Sequence, residues 1–233
     1  MDNSIKLSVI MPSYMEEENL RQLLPRLNSA LMSLKISYEI LVIDTVAPMD
    51  NTKQVCDTNN AEYINMKNGN SYGDAARTGI RTARGEYILT MDSDGSHPPE
   101  FIPRLYEHSK DFDVVIASRY IEGGYTENSR LLILMSMIVN WVYSLVLNIK
   151  CKDVSNSFRI YDSALLKELN LYCNNFDIIE EILYKLSRKH RGLKIKEVPF
   201  TFKQRMFGHT KRNLIAFSFS YIFSLLKLRF LKE

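Results

Sequence analysis

The sequence predicts an α/β fold, with a mostly parallel central sheet and helices on both faces. Three observations predict it. Short apolar runs end in polar or acidic residues, as in Tyr38–Asp44 and in Tyr87-Ile-Leu-Thr-Met-Asp92. Strands that present a site at the carboxyl edge of such a sheet take this form. These runs alternate with segments of helical period. The links between them are short, which favours parallel strands joined by covering helices.

Taken in order, residues 6–11 read as a buried strand ending at Pro12-Ser13-Tyr14. A helix follows over residues 16–34. Leu20, Leu23, Leu24, Leu27, Leu31 and Leu34 fall on one of its faces, and Glu16, Glu17 and Glu18 occupy the first turn, where the helix dipole favours acids. Tyr38–Asp44 is the second strand. Asp50 or Thr52 can cap a short helix after it, and residues 62–66 form a weaker third strand. Residues 69–85 hold Tyr72-Gly73-Asp74-Ala75-Ala76-Arg77-Thr78-Gly79, small residues that permit close backbone approach as they lead into a helix. This is neither the Gly-x-Gly-x-x-Gly fingerprint nor a P-loop. Beyond the Asp92 strand, Pro99 starts a helix, and Val114–Ser118 is a strand with Arg119 just past its end. Residues 178–188 read as a helix, 194–198 as a strand and 202–212 as a basic loop.

The pair Asp92-Ser93-Asp94 ends an apolar run and is followed by Gly95 and by Pro98-Pro99. In extended backbone, residues two apart point to one face. Two carboxylates so close repel unless a positive group lies between them. A hard divalent cation bound through oxygens, with coordination positions left for phosphate, fits that need. The plainer reading is a strand-ending turn rich in Asp and Gly.

Net charge is +3, but residues 1–118 carry 11 Lys/Arg against 17 Asp/Glu, a net of −6, while residues 119–233 carry 19 against 10, a net of +9. A basic second half suits an anionic partner such as phosphate or an acidic membrane surface. No helix-turn-helix, zinc or RNA-binding signature accompanies that charge, so no nucleic acid is expected. Three scattered cysteines, Cys56, Cys151 and Cys173, argue for a reducing compartment and against a disulfide framework or zinc site. The first residues lack a basic segment and a long apolar core, so no signal peptide is expected.

Residues 131–149 are 19 positions without a formal charge, flanked by Arg130 and by Lys150 and Lys152. A membrane span needs roughly 20 such residues. Ser136, Asn140, Ser144 and Asn148 recur every four residues as one polar stripe, and Trp141 and Tyr143 favour interfaces. A helix lying on a membrane surface suits this pattern better than a span, with a buried core helix as the alternative. The tail, residues 213–233, reads as a further amphipathic, membrane-associating helix beyond a main domain of residues 1–212.

Together these segments resemble glycosyltransferase family 2 and its GT-A fold, and within it the polyprenyl- or dolichyl-phosphate sugar synthases. Pro12-Ser-Tyr14-Met-Glu16-Glu-Glu-Asn19 resembles the family's Pro-x-Tyr-Asn-Glu opening. Asp44 ends the second strand where an Asp-Asp pair is usual. Met91-Asp92-Ser-Asp94 with His97-Pro98-Pro99 resembles the metal motif and its sequel, Ser118-Arg119-Tyr120 the Ser-Arg-Tyr segment, and Asp153 to Arg159 the Asp-x-Thr-Ser-Gly-Phe-Arg segment. Arg130 with Ser136 and Asn140 approximates the acceptor arm. Glu181-Ile182-Leu183, Val198-Pro199 and Arg205-x-x-Gly208-x-Thr210-Lys211 complete the series.

The resemblance implies an inverting transferase that uses Mg²⁺ or Mn²⁺. It would move a sugar from a UDP- or GDP-sugar donor to a polyprenyl phosphate at the cytoplasmic face of a membrane. It implies that Pro12, Tyr14, Glu16 and Asp44 line the base and ribose pocket. Asp92 would help hold the sugar diphosphate and Asp94 the metal, Arg119 and Arg130 would face the acceptor phosphate, and Arg205 and Lys211 would close over the donor diphosphate. Many relatives carry transmembrane helices after the catalytic domain, so a separate membrane subunit is the corresponding partner expectation. Thr45 stands in place of the second Asp, Ser157 where Gly is common, and Ser96 where Gln is frequent. Two other readings stand beside this one: a family 2 enzyme extending a saccharide hydroxyl in cell-wall or surface polysaccharide, for which Asp177, Glu180 and Glu181 are candidate bases, and a nucleotide-binding scaffold with weakened catalysis.

Overall fold

The computed structural model describes residues 4–207, together with Leu225, Leu228 and Arg229. Its strands are β1 (Leu7–Pro12), β2 (Tyr38–Asp44), β3 (Glu62–Asn65), β4 (Tyr87–Thr90), β5 (Val114–Ser118), β6 (Tyr125–Thr126), β7 (Arg159–Asp162), β8 (Ile195–Pro199) and β9 (Thr201–Phe202). Its helices are α1 (Glu17–Ser33), α2 (Thr52–Asp57), α3 (Tyr72–Thr82), α4 (Ile102–His108), α5 (Arg130–Leu147), α6 (Ser163–Lys167) and α7 (Ile178–Lys189). Seven strands pair in the order β3-β2-β1-β4-β7-β5-β8, and β6 pairs with β9 beside them.

The chain runs outward from β1 to β3 and then returns to place β4 on the other side of β1. The crevice where strand order reverses is the place where open α/β sheets bind ligands. Only β7 runs antiparallel to its neighbours in the seven-stranded sheet. Arg159 at its start lies opposite Thr90 and Ile116. The loop that precedes β7 therefore reaches the same edge as the carboxyl ends of β4 and β5.

Each face of the sheet is covered because strand side chains alternate. Leu7, Val9 and Met11 of β1 pack with Leu20, Leu23, Leu24, Leu27 and Leu31 of α1. Ile10 points the other way and packs with Ala75, Ala76 and Ile80 of α3 and with the apolar face of α7. Burying one leucine contributes roughly 1.5–3 kcal/mol, so the leucine stripe is sufficient reason for α1 to dock. Gly79 brings α3 close to β1, because a Cβ there would lie 2.4 Å from the Ile10 side chain.

One expectation needs correction, and one alternative is excluded. Strand β4 ends at Thr90, two residues short of Asp92. The segment from Asp92 to Ser96 is a turn instead of extended backbone, held by Ser96 N–H donating to Asp94 Oδ1 at 3.0 Å and by Gly95 at φ +83°. The two carboxylates thus reach one cleft through turn chemistry and not through strand alternation. Nor is α5 a buried core helix. Leu131, Leu134, Met137, Ile138, Trp141 and Leu145 are exposed. The polar stripe faces inward at Asn140, which is buried and whose amide donates to the Ser136 carbonyl and to Ser155 Oγ, while Asn148 is exposed. Asn148 ends the helix in the left-handed region at φ 54°.

Candidate active site

A cleft of about 1000 Å³ opens at the carboxyl edge of the sheet. One part of its wall is polar, with Tyr14, Glu16, Asp92, Asp94, Arg119 and Arg205. Another is apolar, with Leu132, Val139 and Val142 of α5, Phe176 and Ile179 beside or on α7, and Leu225.

Asp92 is fixed from two sides. Its backbone N–H donates to His97 Nδ1 at 3.0 Å, and its Oδ1 accepts from Ser157 Oγ at 2.9 Å. His97 is fully buried and stacks on Phe158 with ring centroids 4.8 Å apart. Burial holds its pKa below the usual histidine value, which suits a neutral ring that accepts through Nδ1. Asp94 Oδ1 accepts from the Ser96 hydroxyl at 2.6 Å, so Ser96 braces this carboxylate.

The segment from Lys203 to Phe207 lies across this turn. Met206 N–H donates to the Asp94 carbonyl at 3.0 Å, and Lys203 N–H to the Ser96 carbonyl at 3.2 Å. Met206 packs so closely on Gly95 that a Cβ there would lie 2.5 Å from it. Arg205 pairs with Glu16, and its Nη1 lies 3.5 Å from Asp94 Oδ2. Asn19 secures the segment by accepting from Phe207 N–H at 3.0 Å.

Arg119 is nearly buried and gripped by Asp153. Its Nε and Nη2 donate to the two Asp153 oxygens at 2.8 and 2.7 Å, and Nη2 also donates to Ser155 Oγ at 2.9 Å. Such two-pronged pairs fix a guanidinium in direction as well as place. Ser155 also ties the group to α5, since its N–H donates to Asn140 Oδ1 at 3.0 Å. Arg159 is fully buried and donates to the carbonyls of Asp153 and Val154 at 3.2 and 2.6 Å, so it anchors the loop from within.

The expected residues therefore divide. Pro12, Tyr14, Glu16, Asp92, Asp94, Arg119 and Arg205 all line the cleft. Asp44 does not: its oxygens accept from Thr45 N–H at 2.8 Å and Tyr63 OH at 3.0 Å, and burial raises its pKa. Arg130 is exposed at the start of α5 and does not line the cleft either. Lys211 and nearly all of residues 213–233 lie outside the described residues. The candidate bases lie off the cleft. Glu181 accepts from Tyr172 and Cys173 N–H groups and pairs with Lys185, Asp177 accepts from Asn175 N–H, and Glu180 is fully buried.

Sequence reasoning missed the start of α3, where Ser71 and Tyr72 line the cleft. Ser71 and Asp74 form a reciprocal capping box there, and Ser-x-x-Asp before a helical segment was the available signal. It also missed Asp153 as the partner of Arg119, because that contact spans 34 residues of sequence.

The family description "Glycosyl transferase family 2" matches residues 8–170, well over half of the chain. The chain belongs to glycosyltransferase family 2. This family 2 chain is 35% identical over 215 residues to a dolichol-phosphate mannosyltransferase of Pyrococcus furiosus, covering 89% of the chain and 59% of that relative. It is 31% identical over 225 residues to an undecaprenyl-phosphate mannosyltransferase of Micrococcus luteus, covering 89% and 87%. The chain thus spans less than two thirds of the Pyrococcus relative and most of the Micrococcus one. Among solved structures it resembles glucosyl-3-phosphoglycerate synthase of Mycobacterium tuberculosis in complex with Mn²⁺, UDP and phosphoglyceric acid. The TM-score is 0.74 at 16% identity, covering 98% of this chain and 80% of that one. The same enzyme with Mg²⁺ and UDP gives 0.73 at 15% identity, covering 98% and 81%. The family 2 chain accordingly has the GT-A fold.

Proposed function

We propose that this family 2 glycosyltransferase moves a sugar, with inversion, from a nucleotide sugar to a polyprenyl phosphate at a membrane surface. One observation carries the choice of acceptor. Among the described residues, the only carboxylates lining the cleft are Glu16, Asp92 and Asp94. Glu16 is held by Arg205, and the other two form the turn below it. A hydroxyl acceptor needs a general base, and none stands apart from this donor-side group. A phosphate monoester has a second pKa near roughly 6 and arrives already ionised. Polyprenyl-phosphate chemistry in the names of the two sequence relatives agrees with this reading.

Donor-side roles follow from the donor atoms. Asp92 and Asp94 offer oxygens alone, and no group of three or more His, Cys, Asp or Glu suited to a metal exists among the described residues. That set fits Mg²⁺ or Mn²⁺ bound partly by protein and partly by diphosphate and water. Such an ion supplies Lewis-acid stabilisation to the departing diphosphate. Arg205 adds a guanidinium aimed at the same charge, and Tyr14, exposed on the cleft wall, would stack on the base. Arg119, held by Asp153 and Ser155, presents a fixed cation to the acceptor phosphate. The attacking oxygen enters opposite the leaving group, so an α-linked donor gives a β-linked product.

The apolar wall of the cleft supplies a path for the prenyl chain along α5. The outward face of α5, with Arg130 at its start and exposed Lys150 and Lys152 beyond its end, suits an anionic lipid surface. Incubation with radiolabelled GDP- and UDP-sugars, undecaprenyl phosphate and Mn²⁺ tests the proposal. Label entering the organic phase supports it. Label confined to water-soluble saccharide favours chain extension instead.

A further inference from the structure

Ser157 makes a contact that the roles above do not use. Its hydroxyl donates to Asp92 Oδ1 at 2.9 Å, and its carbonyl accepts from the Thr90 hydroxyl at 2.5 Å. The residue is thus pinned to the end of β4 while it holds the carboxylate just beyond. It is 5% exposed and lines the cleft. Tyr72 OH approaches the same Oδ1 at 3.4 Å, a longer and weaker contact. Among the described residues nothing bonds Asp92 Oδ2.

The terminal torsion of an aspartate is broad and soft. Asp92 therefore needs an outside donor to hold one rotation, and Ser157 provides the short one. We propose that Ser157 is a positioning residue for Asp92: by fixing Oδ1 it leaves Oδ2 presented to the sugar diphosphate and its dication. The inference rests on the transferase reading above. It adds a structural consequence. Residues 153–157 grip Arg119 through Asp153 and Ser155, and Asp92 through Ser157. One short segment, anchored by Arg159, sets the donor carboxylate and the acceptor-side cation in register.

Calorimetric titration with UDP and GDP in the presence of Mn²⁺, paired with steady-state kinetics, tests this on the full chain. A hydrogen bond to a charged acceptor corresponds to an effect on the order of tenfold. Ser157→Ala is expected to weaken Mn²⁺-dependent nucleotide binding and raise the donor KM by about that factor, with the acceptor KM changed less than about twofold. In an Asp92→Ala background, which has no side-chain oxygen for the Ser157 hydroxyl to meet, the same substitution is expected to add less than about twofold, as coupled neighbours require. Ser157→Gly, which also removes the hydroxyl, provides the same readout where the alanine variant does not fold. Unchanged donor affinity overturns the inference, as does an equal rise in both KM values or an undiminished effect in the Asp92→Ala background. Failure of the unmodified protein to bind either nucleotide with Mn²⁺ overturns the transferase reading and this inference together.

Discussion

Arg205 Nη1 lies 3.5 Å from Asp94 Oδ2, and the same guanidinium pairs with Glu16. A cation from a segment late in the chain thus sits over the turn that would hold a metal and diphosphate. Arg205→Ala should lower kcat on the order of 10²–10³-fold, the usual cost of losing a donor aimed at developing negative charge. Asp94→Ala should abolish turnover and lower the melting temperature only modestly, because the turn loses its Ser96 bonds but keeps the backbone bonds from Met206 and Lys203. Kinetics and thermal unfolding of both variants check this. Retained turnover by Asp94→Ala at saturating metal contradicts the assignment.

The Arg119–Asp153 pair has side chains 9% and 0% exposed. Removing one partner of a buried pair costs about 3–5 kcal/mol, because the other charge is left uncompensated. Asp153→Ala should therefore destabilise the protein by about that amount, whereas Arg119→Leu with Asp153→Leu should recover part of the loss. Chemical denaturation of the single and double variants measures both. A single variant within about 1 kcal/mol of wild type would show that the pair is not structurally required.

Asp44 gives a pH prediction. Burial, the largest cause, raises its carboxyl above the ordinary value of 3.8 despite hydrogen bonds from Thr45 and Tyr63. The folded state then keeps a proton that the unfolded chain has lost. Its contribution to stability is full below pH 3.8 and is lost as pH rises through the folded value. Asp44→Asn, which cannot ionise, should gain stability relative to wild type across that window. Urea unfolding from pH 3 to pH 7 should show the difference growing with pH, and a flat difference would refute the linkage.

The outward face of α5 should govern membrane binding. Trp141→Glu with Leu145→Glu replaces side chains 66% and 65% exposed. The pair should reduce flotation with anionic liposomes severalfold while leaving unfolding unchanged, since neither side chain is in the core. Asn140→Leu should do the reverse, lowering stability through the lost Ser155 contacts while sparing flotation. Unaltered flotation of the double variant removes α5 from the membrane account.

Much of this was legible in the chain. The α1 leucine stripe and the β2 and β5 runs announced their elements because period and length sufficed, and Tyr38–Asp44 and Val114–Ser118 agree with the expected strands. Asp92, Asp94 and Arg119 line the cleft, and their positions there were legible because each stands just past an apolar run. The direction of β7 was not legible: a four-residue strand, Arg-Ile-Tyr-Asp, carries no sign of whether it enters a sheet parallel or antiparallel. That direction brings Ser155 and Ser157 to the cleft and buries Asp153 against Arg119, so the partners of Arg119 and Asp92 were hidden with it. The polar stripe of α5 was visible, but the face it presents to the protein depends on Ser155, which no local pattern reveals. Asp44 looked like a ligand-facing strand end, and Tyr63 from the neighbouring β3 engages it instead.

The central claim is that an ionised lipid phosphate, and no hydroxyl, receives the sugar. The most direct measurement compares transfer of labelled sugar from GDP-mannose and UDP-glucose to undecaprenyl phosphate and to undecaprenol, which lacks the phosphate. The account predicts Mn²⁺- or Mg²⁺-dependent label in the organic phase with the phosphate and none above background with the alcohol. Equal labelling of both lipids, or labelling of undecaprenol alone, would contradict it.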